Sequence, residues 1–204
     1  MKLLYQTHSP YARKALVFAY EAGLAEQIEV LHHETSPLRR NEKVFAANPL
    51  GKVPVLLRPG LAPLFDSDVI CAYLDTLHSG RKLIPTEGEA RWRALQIQAV
   101  AQGLADAGIA IRWETQRRPK ELRYPALRDG HVEKLLASYD WLEQHFETGS
   151  TLDVGHIALA TTLSWLEFRE LPTFRRRPRL TLWFDEFSNR SSMRATPLWG
   201  QTHD

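Results

Sequence analysis

The chain has a single cysteine, Cys71. That excludes a disulfide framework within the chain and any Cys-x-x-Cys metal or redox pair. Cys71 stands among apolar residues at helical spacing, where it reads as a small buried hydrophobe. An excess of one charge is also missing, with 26 Lys+Arg against 24 Asp+Glu and a formal balance of +2. So small a surplus leaves no electrostatic footprint for nucleic acid or a membrane surface, and neither partner is expected. No apolar run approaches a membrane span. Met1-Lys2-Leu3-Leu4-Tyr5 turns polar too soon for a signal peptide, so a cytoplasmic protein is expected. No Gly-rich phosphate loop and no Ser-His-Asp order stands out. His32 and His33, adjacent at an expected strand end, point to opposite faces and cannot share a metal, and no metal site is expected.

What is present suits a folded protein of one large domain or two small ones: 204 residues, 44% hydrophobic and 25% charged. Residues 3–6 form a short apolar strand, and Ser9-Pro10 opens a helix that ends near Gly23, with proline in its first turn. Residues 28–31 alternate as a second strand, and 41–47 suit a short helix. Asn48-Pro49 and Gly51-Lys52 mark a turn into the strand Val53-Pro54-Val55-Leu56-Leu57. Proline there demands an edge or a strand start. If the Val53–Pro54 bond is cis, the chain doubles sharply and Val53 offers its amide and carbonyl as a docking edge for an extended peptide. A further strand ends at Phe65, and Asp66-Ser67 opens the helix Val69, Ile70, Tyr73, Leu74, Leu77. The start of that helix presents amides and a hydroxyl to a carboxylate, and Asp66 can hold an ammonium group. A ligand with an α-amino acid head and a peptide body fits across the two stretches.

Gly80, Pro85 and Gly88 punctuate residues 79–88, and strand signals vanish beyond them. The expected division is a first domain over 1–79, a linker at 80–88 and a helical domain over 89–204. Ile97, Val100, Leu104, Ala107 and Ile111 form one amphipathic face, and Val132, Leu135, Tyr139, Leu142 and Phe146 another. Arg117-Arg118-Pro119-Lys120 and Tyr124-Pro125 break the pattern between them. Asp153 caps a helix over Ile157–Leu166 that is apolar nearly all round and hence central. Leu180 to Phe187 reads as the last helix. The run Arg175-Arg176-Arg177-Pro178-Arg179 reads as a solvated loop, with an anion or acidic-partner site as the alternative.

Asn48-Pro49-Leu50-Gly51-Lys52-Val53-Pro54-Val55-Leu56, followed by Asp66-Ser67, resembles the glutathione S-transferase superfamily. The likeness runs over essentially the whole chain, but only the N-terminal motifs are specific. It implies an α/β thioredoxin-like domain followed by an all-helical domain, with Pro54 as a structural cis-proline. Thioredoxins place two cysteines in the turn after the first strand. Ser9 and Ala12 stand there here, so dithiol exchange is excluded. The family usually starts its central helix with Ser or Thr and places aspartate three positions on. Asp153 and His156 depart from that pattern.

The resemblance further implies a cytosolic enzyme for detoxification, with glutathione as co-substrate. Its residues would be Ser9 toward the sulfur, Val53 on the cysteinyl amides, and Asp66 with Ser67 on the γ-glutamyl head. Ser9 by itself reads as an N-cap, and Tyr5 and Thr7 lie on the same alternating face as rivals or helpers. For the glycyl carboxylate the candidates are Lys52, Arg39, Arg40 and His33, with Lys52 preferred. A small, hydrophobic electrophile is expected against Tyr11 and the region of Asp106, Gly108 and Arg112, with Trp113 as a candidate wall. A homodimer is implied. The alternatives are a non-enzymatic interaction module of the same fold, or a glutathione-dependent isomerase or lyase. A redox enzyme would need a mixed disulfide on Cys71.

Overall fold

The computed structural model describes residues 1–149 and 151–202. These form two compact units, Met1–Arg91 together with the described residues from Ser191 on, and Trp92–Arg190.

The first unit runs β1 (Lys2–Tyr5), α1 (Pro10–Glu21), β2 (Glu29–His32), α2 (Glu42–Phe45), β3 (Val55–Arg58), β4 (Leu61–Phe65) and α3 (Ser67–Thr76). This is the order that the sequence predicts for a thioredoxin-like domain. The sheet order is β2-β1-β3-β4, with β1 parallel to β2 and antiparallel to β3. Pro63 lies in β4, an edge strand, where its missing N–H breaks no ladder. Leu3 pairs with Leu56 at the centre of the sheet, and both are buried with Val17, Phe18, Ile70 and Leu74 from α1 and α3. The stretch after α3 is pinned to that helix. The buried Asp75 carboxylate accepts the N–H of Leu83 at 2.9 Å and of Ile84 at 3.1 Å, and Lys82 donates to the carbonyl of His78 at 2.7 Å.

The second unit is helical. It contains most of α4 (Gly88–Arg112), a π-helical turn over Trp113–Arg117, α5 (Pro125–His145), α6 (Val154–Phe168) and α7 (Pro178–Ser188). Pro125, read from sequence as part of a break, occupies the first turn of α5, where its missing N–H has no helical partner to lose. Ile157, Leu159, Ala160 and Leu163 of α6 are fully buried, so this helix is the centre of the unit. Gly108 lets α4 approach it, because a Cβ there would meet Trp165 at 2.7 Å and Leu166 at 2.8 Å.

The arginine run is less solvated than the sequence suggests: Arg176 is exposed, but its neighbours are held by contacts within the helical unit. Arg175 bonds both the Glu167 carboxylate and Asp185, 2.5 Å away, Arg177 bonds Asp140 at 2.9 Å, and the Arg179 N–H donates to Glu143 at 3.0 Å. These contacts staple α5, α6 and α7. Guanidinium forks hold several carboxylates in fixed geometry, which is why arginine serves here.

The chain's end also departs from the sequence division. A short helix α8 (Ser191–Arg194), which no periodicity announced, lies with the first unit instead of the helical one.

At the start of α6, Asp153 Oδ1 accepts the N–H of Gly155 at 2.8 Å and of His156 at 3.1 Å. His156 Nδ1 lies 2.8 Å from the same oxygen, so its ring bonds the cap's side chain where a capping box would bond the cap's N–H. Asp153→Ala is expected to lower the unfolding free energy by about 1–2 kcal/mol, read by urea denaturation. A change within experimental error would show that the cap carries no such weight.

Candidate functional site

Topology brings three separate stretches to one end of the sheet. β1 runs toward Tyr5 and the turn at Thr7–Ser9. Because β3 is antiparallel to β1, it starts at that same end, with Val55 opposite Leu4. β4 finishes there too, with Phe65 opposite Val55, and Asp66-Ser67 follow directly.

In the first stretch, the Ser9 N–H donates to the Gln6 carbonyl at 3.0 Å and closes the turn. Ser9 is the N-cap of α1, extended at φ −96° and ψ 121°, and Pro10 follows in the first turn. Its Oγ accepts the Ala12 N–H at 3.2 Å. A hydroxyl has one donor and two acceptor positions. The Ser9 proton has no acceptor among the described residues, so the cap and a donor role coexist on one oxygen. Thr7 is placed otherwise, since its hydroxyl donates to the Trp199 carbonyl at 2.8 Å. Tyr5 is buried against the edge of the His32 ring. Burial raises its phenol to about 12, against the opposing pull of Arg13, so it stays protonated at neutral pH.

The second stretch is built by Asn48, which is only 2% exposed. Its side-chain amide donates to the Lys52 carbonyl at 2.8 Å and its oxygen accepts the Leu50 N–H at 2.9 Å. Gly51 turns at φ 62°, packed so closely on the Phe45 ring that a Cβ would collide with it. The Val53–Pro54 bond that follows is cis. Neither the N–H nor the C=O of Val53 is hydrogen-bonded among the described residues.

In the third stretch, Asp66 sits at φ 71° and ψ 131°, a conformation that L side chains rarely adopt. Holding it there costs about 1–3 kcal/mol. Its carboxylate accepts the Asp68 N–H at 2.7 Å, and Ser67, buried, begins α3. The buried ammonium of Lys14 on α1 bonds the Asp68 carboxylate, which links α1 to the first turn of α3.

Among the candidate cations, Arg40 bonds Glu42 at 2.7 Å and lies over the Phe45 ring. His33 is held below its ordinary range by burial, and Lys43 and His32 push the same way, so it is neutral at physiological pH. Lys52 and Arg39 are exposed, and neither side chain is ion-paired among the described residues.

The region named from sequence for an electrophile is divided. Tyr11 is half-buried on α1. Asp106 is exposed, whereas Gly108 faces α6 inside the helical core. Two residues apart on a helix means about 200° of rotation, so these positions do not share one face. Arg112 is buried and donates to the Gln116 carboxamide at 3.3 Å, while Trp113 carries Arg117 over its ring. The sequence reading missed the side-chain bonds of Asn48, the Lys14–Asp68 pair and the contacts of Thr7. Asn-x-Leu-Gly-Lys did mark the turn, but no pattern within α1 marked Lys14 as an ion-pair partner.

Similarity to known proteins covers both units. Residues 8–77 match the model of the glutathione S-transferase N-terminal domain, and residues 125–186 match that of its C-terminal domain. Among curated proteins, the uncharacterized GST-like protein YibF of Escherichia coli K12 is 30% identical over 177 residues, 84% of each chain. Among solved structures, a glutathione transferase family member of Pseudomonas fluorescens Pf-5 with bound glutathione is 35% identical. Its TM-score is 0.93, over 98% of this chain and 99% of that one. A glutathione S-transferase of Methylobacillus flagellatus KT with bound glutathione is 30% identical, with TM-score 0.84 over 97% and 99% of the two chains.

Cys71 is fully buried, and desolvation pushes its thiol up to about 12. The folded chain therefore keeps the proton where the unfolded chain, with a thiol pKa of about 8.5, loses it. This contribution to stability is intact below that pH and is lost as pH rises toward the folded value. The native protein is expected to resist alkylation by iodoacetamide at about pH 9, where the urea-unfolded chain reacts promptly. Equal rates in the two states would contradict the burial.

Proposed function

Because this chain belongs to the glutathione S-transferase family, we propose that it binds glutathione across the three stretches and activates its thiol at Ser9. The observation that carries the reading is the Ser9 hydroxyl at the start of α1. It accepts from Ala12, keeps its own proton to donate, and lies at the sheet end shared with Val53 and Ser67. That the similar Pseudomonas and Methylobacillus proteins hold glutathione supports the choice of ligand.

In this reading glutathione lies extended. Its cysteinyl N–H and C=O pair with Val53. Its γ-glutamyl carboxylate meets the amides and hydroxyl at Ser67, and its ammonium meets Asp66. Lys52 takes the glycyl carboxylate, which the engagement of Arg40 and the neutrality of His33 favour.

A free thiol with a pKa of roughly 8.5 is only about 3% thiolate at neutral pH. Lowering that value by ~2 units requires about 2.7 kcal/mol of differential stabilisation. A hydrogen bond from Ser9 and the positive end of α1 each supply about 1–2 kcal/mol, so the two together suffice. The thiol proton leaves to solvent. The thiolate attacks an electrophilic carbon, a sulfur–carbon bond forms, and the leaving group departs with its electron pair. Tyr11, half-buried in the first turn of α1, is the residue of this unit proposed to flank the electrophile.

We read the protein as a cytoplasmic detoxifying enzyme that pairs as a homodimer. Isomerisation or elimination by the same thiolate would use the same residues. The arginine cluster lends the non-enzymatic alternative less support, since the side chains of Arg175 and Arg177 are engaged in contacts within the helical unit.

Ser9→Ala is expected to lower kcat for conjugation of glutathione to an activated aryl halide by about 10- to 100-fold at neutral pH. The KM for glutathione should change little, because Val53, Asp66 and Ser67 remain. An unchanged kcat would overturn the role of Ser9.

A further inference from the structure

The end of the described chain folds back onto the β1–α1 turn that carries Ser9. Trp199 and Thr7 exchange two hydrogen bonds: the Thr7 hydroxyl donates to the Trp199 carbonyl at 2.8 Å, and the Trp199 N–H donates to the Thr7 carbonyl at 3.4 Å. The Trp199 indole, 60% exposed, lies beside the His32 ring. One turn into α1, the buried guanidinium of Arg13 donates to the Met193 carbonyl at 3.1 Å and to the Thr196 hydroxyl at 3.3 Å. Thr196 in turn donates to the Ser192 carbonyl at 2.9 Å.

Chain ends fray unless something ties them down. Here the tie is a charged group that is only 4% exposed, on the helix that the proposed thiol site uses. A buried guanidinium is costly unless its donors are met, and those of Arg13 meet the C-terminal segment. Docking of this segment and the folded position of α1 are thus one arrangement. Within the turn itself, the Ser9-to-Gln6 bond is the main-chain closure, and Thr7 sits between those two residues. Thr7 and Ser9 thus share one closed turn, and what holds Thr7 constrains the backbone that carries Ser9.

Resting on the reading of Ser9 as the thiolate's donor, we propose that the C-terminal segment is a positioning clamp for that residue, with Thr7 and Arg13 as its two anchors. Thr7 is then a positioning residue. It does not touch the sulfur, because its proton is held by Trp199. Its contribution is to keep the Ser9 hydroxyl within hydrogen-bond reach of the thiolate, and small misplacements of such a group are costly to the reaction. The two hydroxyls of this turn thus differ in role, since Ser9 donates outward and Thr7 secures the frame.

The test is the ultraviolet titration of the thiolate of bound glutathione in the full-length protein, in Ser9→Ala, Thr7→Val and Thr7→Ser, and in a chain ended after Thr196. The titratable groups around the turn are Tyr5, His8, Arg13 and Glu34, and none of them is changed. Thr7→Val is expected to raise the midpoint by about half a unit, a threefold loss of thiolate affinity, with the shortened chain moving the same way. Thr7→Ser, which keeps the donor, should titrate as the wild type. Combining Thr7→Val with the shortening should add nothing to the shortening alone, since the shortening already removes the contact that Thr7→Val removes. Binding of S-methylglutathione, which carries no thiol, should be unchanged throughout. If Ser9→Ala moves the midpoint and neither Thr7→Val nor the shortened chain does, the clamp is overturned while the role of Ser9 stands. If Ser9→Ala leaves the midpoint in place, the underlying reading fails and the clamp with it. Loss of S-methylglutathione binding in parallel with the shift would mean general damage to the site, which also overturns the proposal. Should Thr7→Val not fold, the midpoint of the shortened chain decides the matter in the same way.

Discussion

The antiparallel pairing of β3 with β1 is the constraint on which the candidate site depends. A strand that runs back along its neighbour begins where that neighbour ends. The turn after β1, the approach to β3 and the exit from β4 therefore meet at one edge of the sheet. Each contributes a different chemistry by virtue of how its chain enters or leaves regular structure. The turn after β1 gives a capped helix start with a proton that is spare among the described residues, the cis-proline approach gives main-chain groups unpaired among them, and the exit from β4 gives a second helix start with an acid before it. Both helices aim their positive ends at the same side, so anionic groups are favoured there twice over.

Holding such groups ready is costly, and the surrounding contacts offset the cost. Asp66 lies in a conformation normally left to glycine, and its own carboxylate and carbonyl accept the Asp68 and Ile70 N–H groups to keep it there. Asn48 does similar service for the turn at Gly51, with both ends of its carboxamide committed. Lys14 then fixes the two helix starts relative to each other by an ion pair to Asp68. Losing one partner of such a pair is more damaging than replacing both, because it leaves a charge buried and unpaired.

Much of this was legible in the chain itself, for a local reason. Turn chemistry, caps and proline positions act over a few residues, so the order of elements, the Ser9 cap, the Val53–Pro54 approach and the Asp66-Ser67 start could be read directly. What stayed hidden depends on partners far off in sequence. Arg13 meets Met193 and Thr196, and Thr7 meets Trp199, pairs separated by more than a hundred and seventy residues with no pattern to join them. The arginine run looked solvated because its carboxylates are spread over α5, α6 and α7. Asp106 and Gly108 were grouped by nearness in sequence, although helical rotation sets them on different sides. The end of the chain carried no periodicity at all, so neither α8 nor its return to the first unit could be foreseen.

The central claim is that glutathione loses its thiol proton on binding here, and proton release measures that directly. Titration calorimetry of glutathione binding at neutral pH, repeated in buffers of different ionisation enthalpy, gives the number of protons released per site. The account predicts about 0.7 proton for glutathione at pH 7 and none for S-methylglutathione. Binding of glutathione with no proton released would mean that the thiol stays neutral, and the account of Ser9 as a thiolate donor would be wrong.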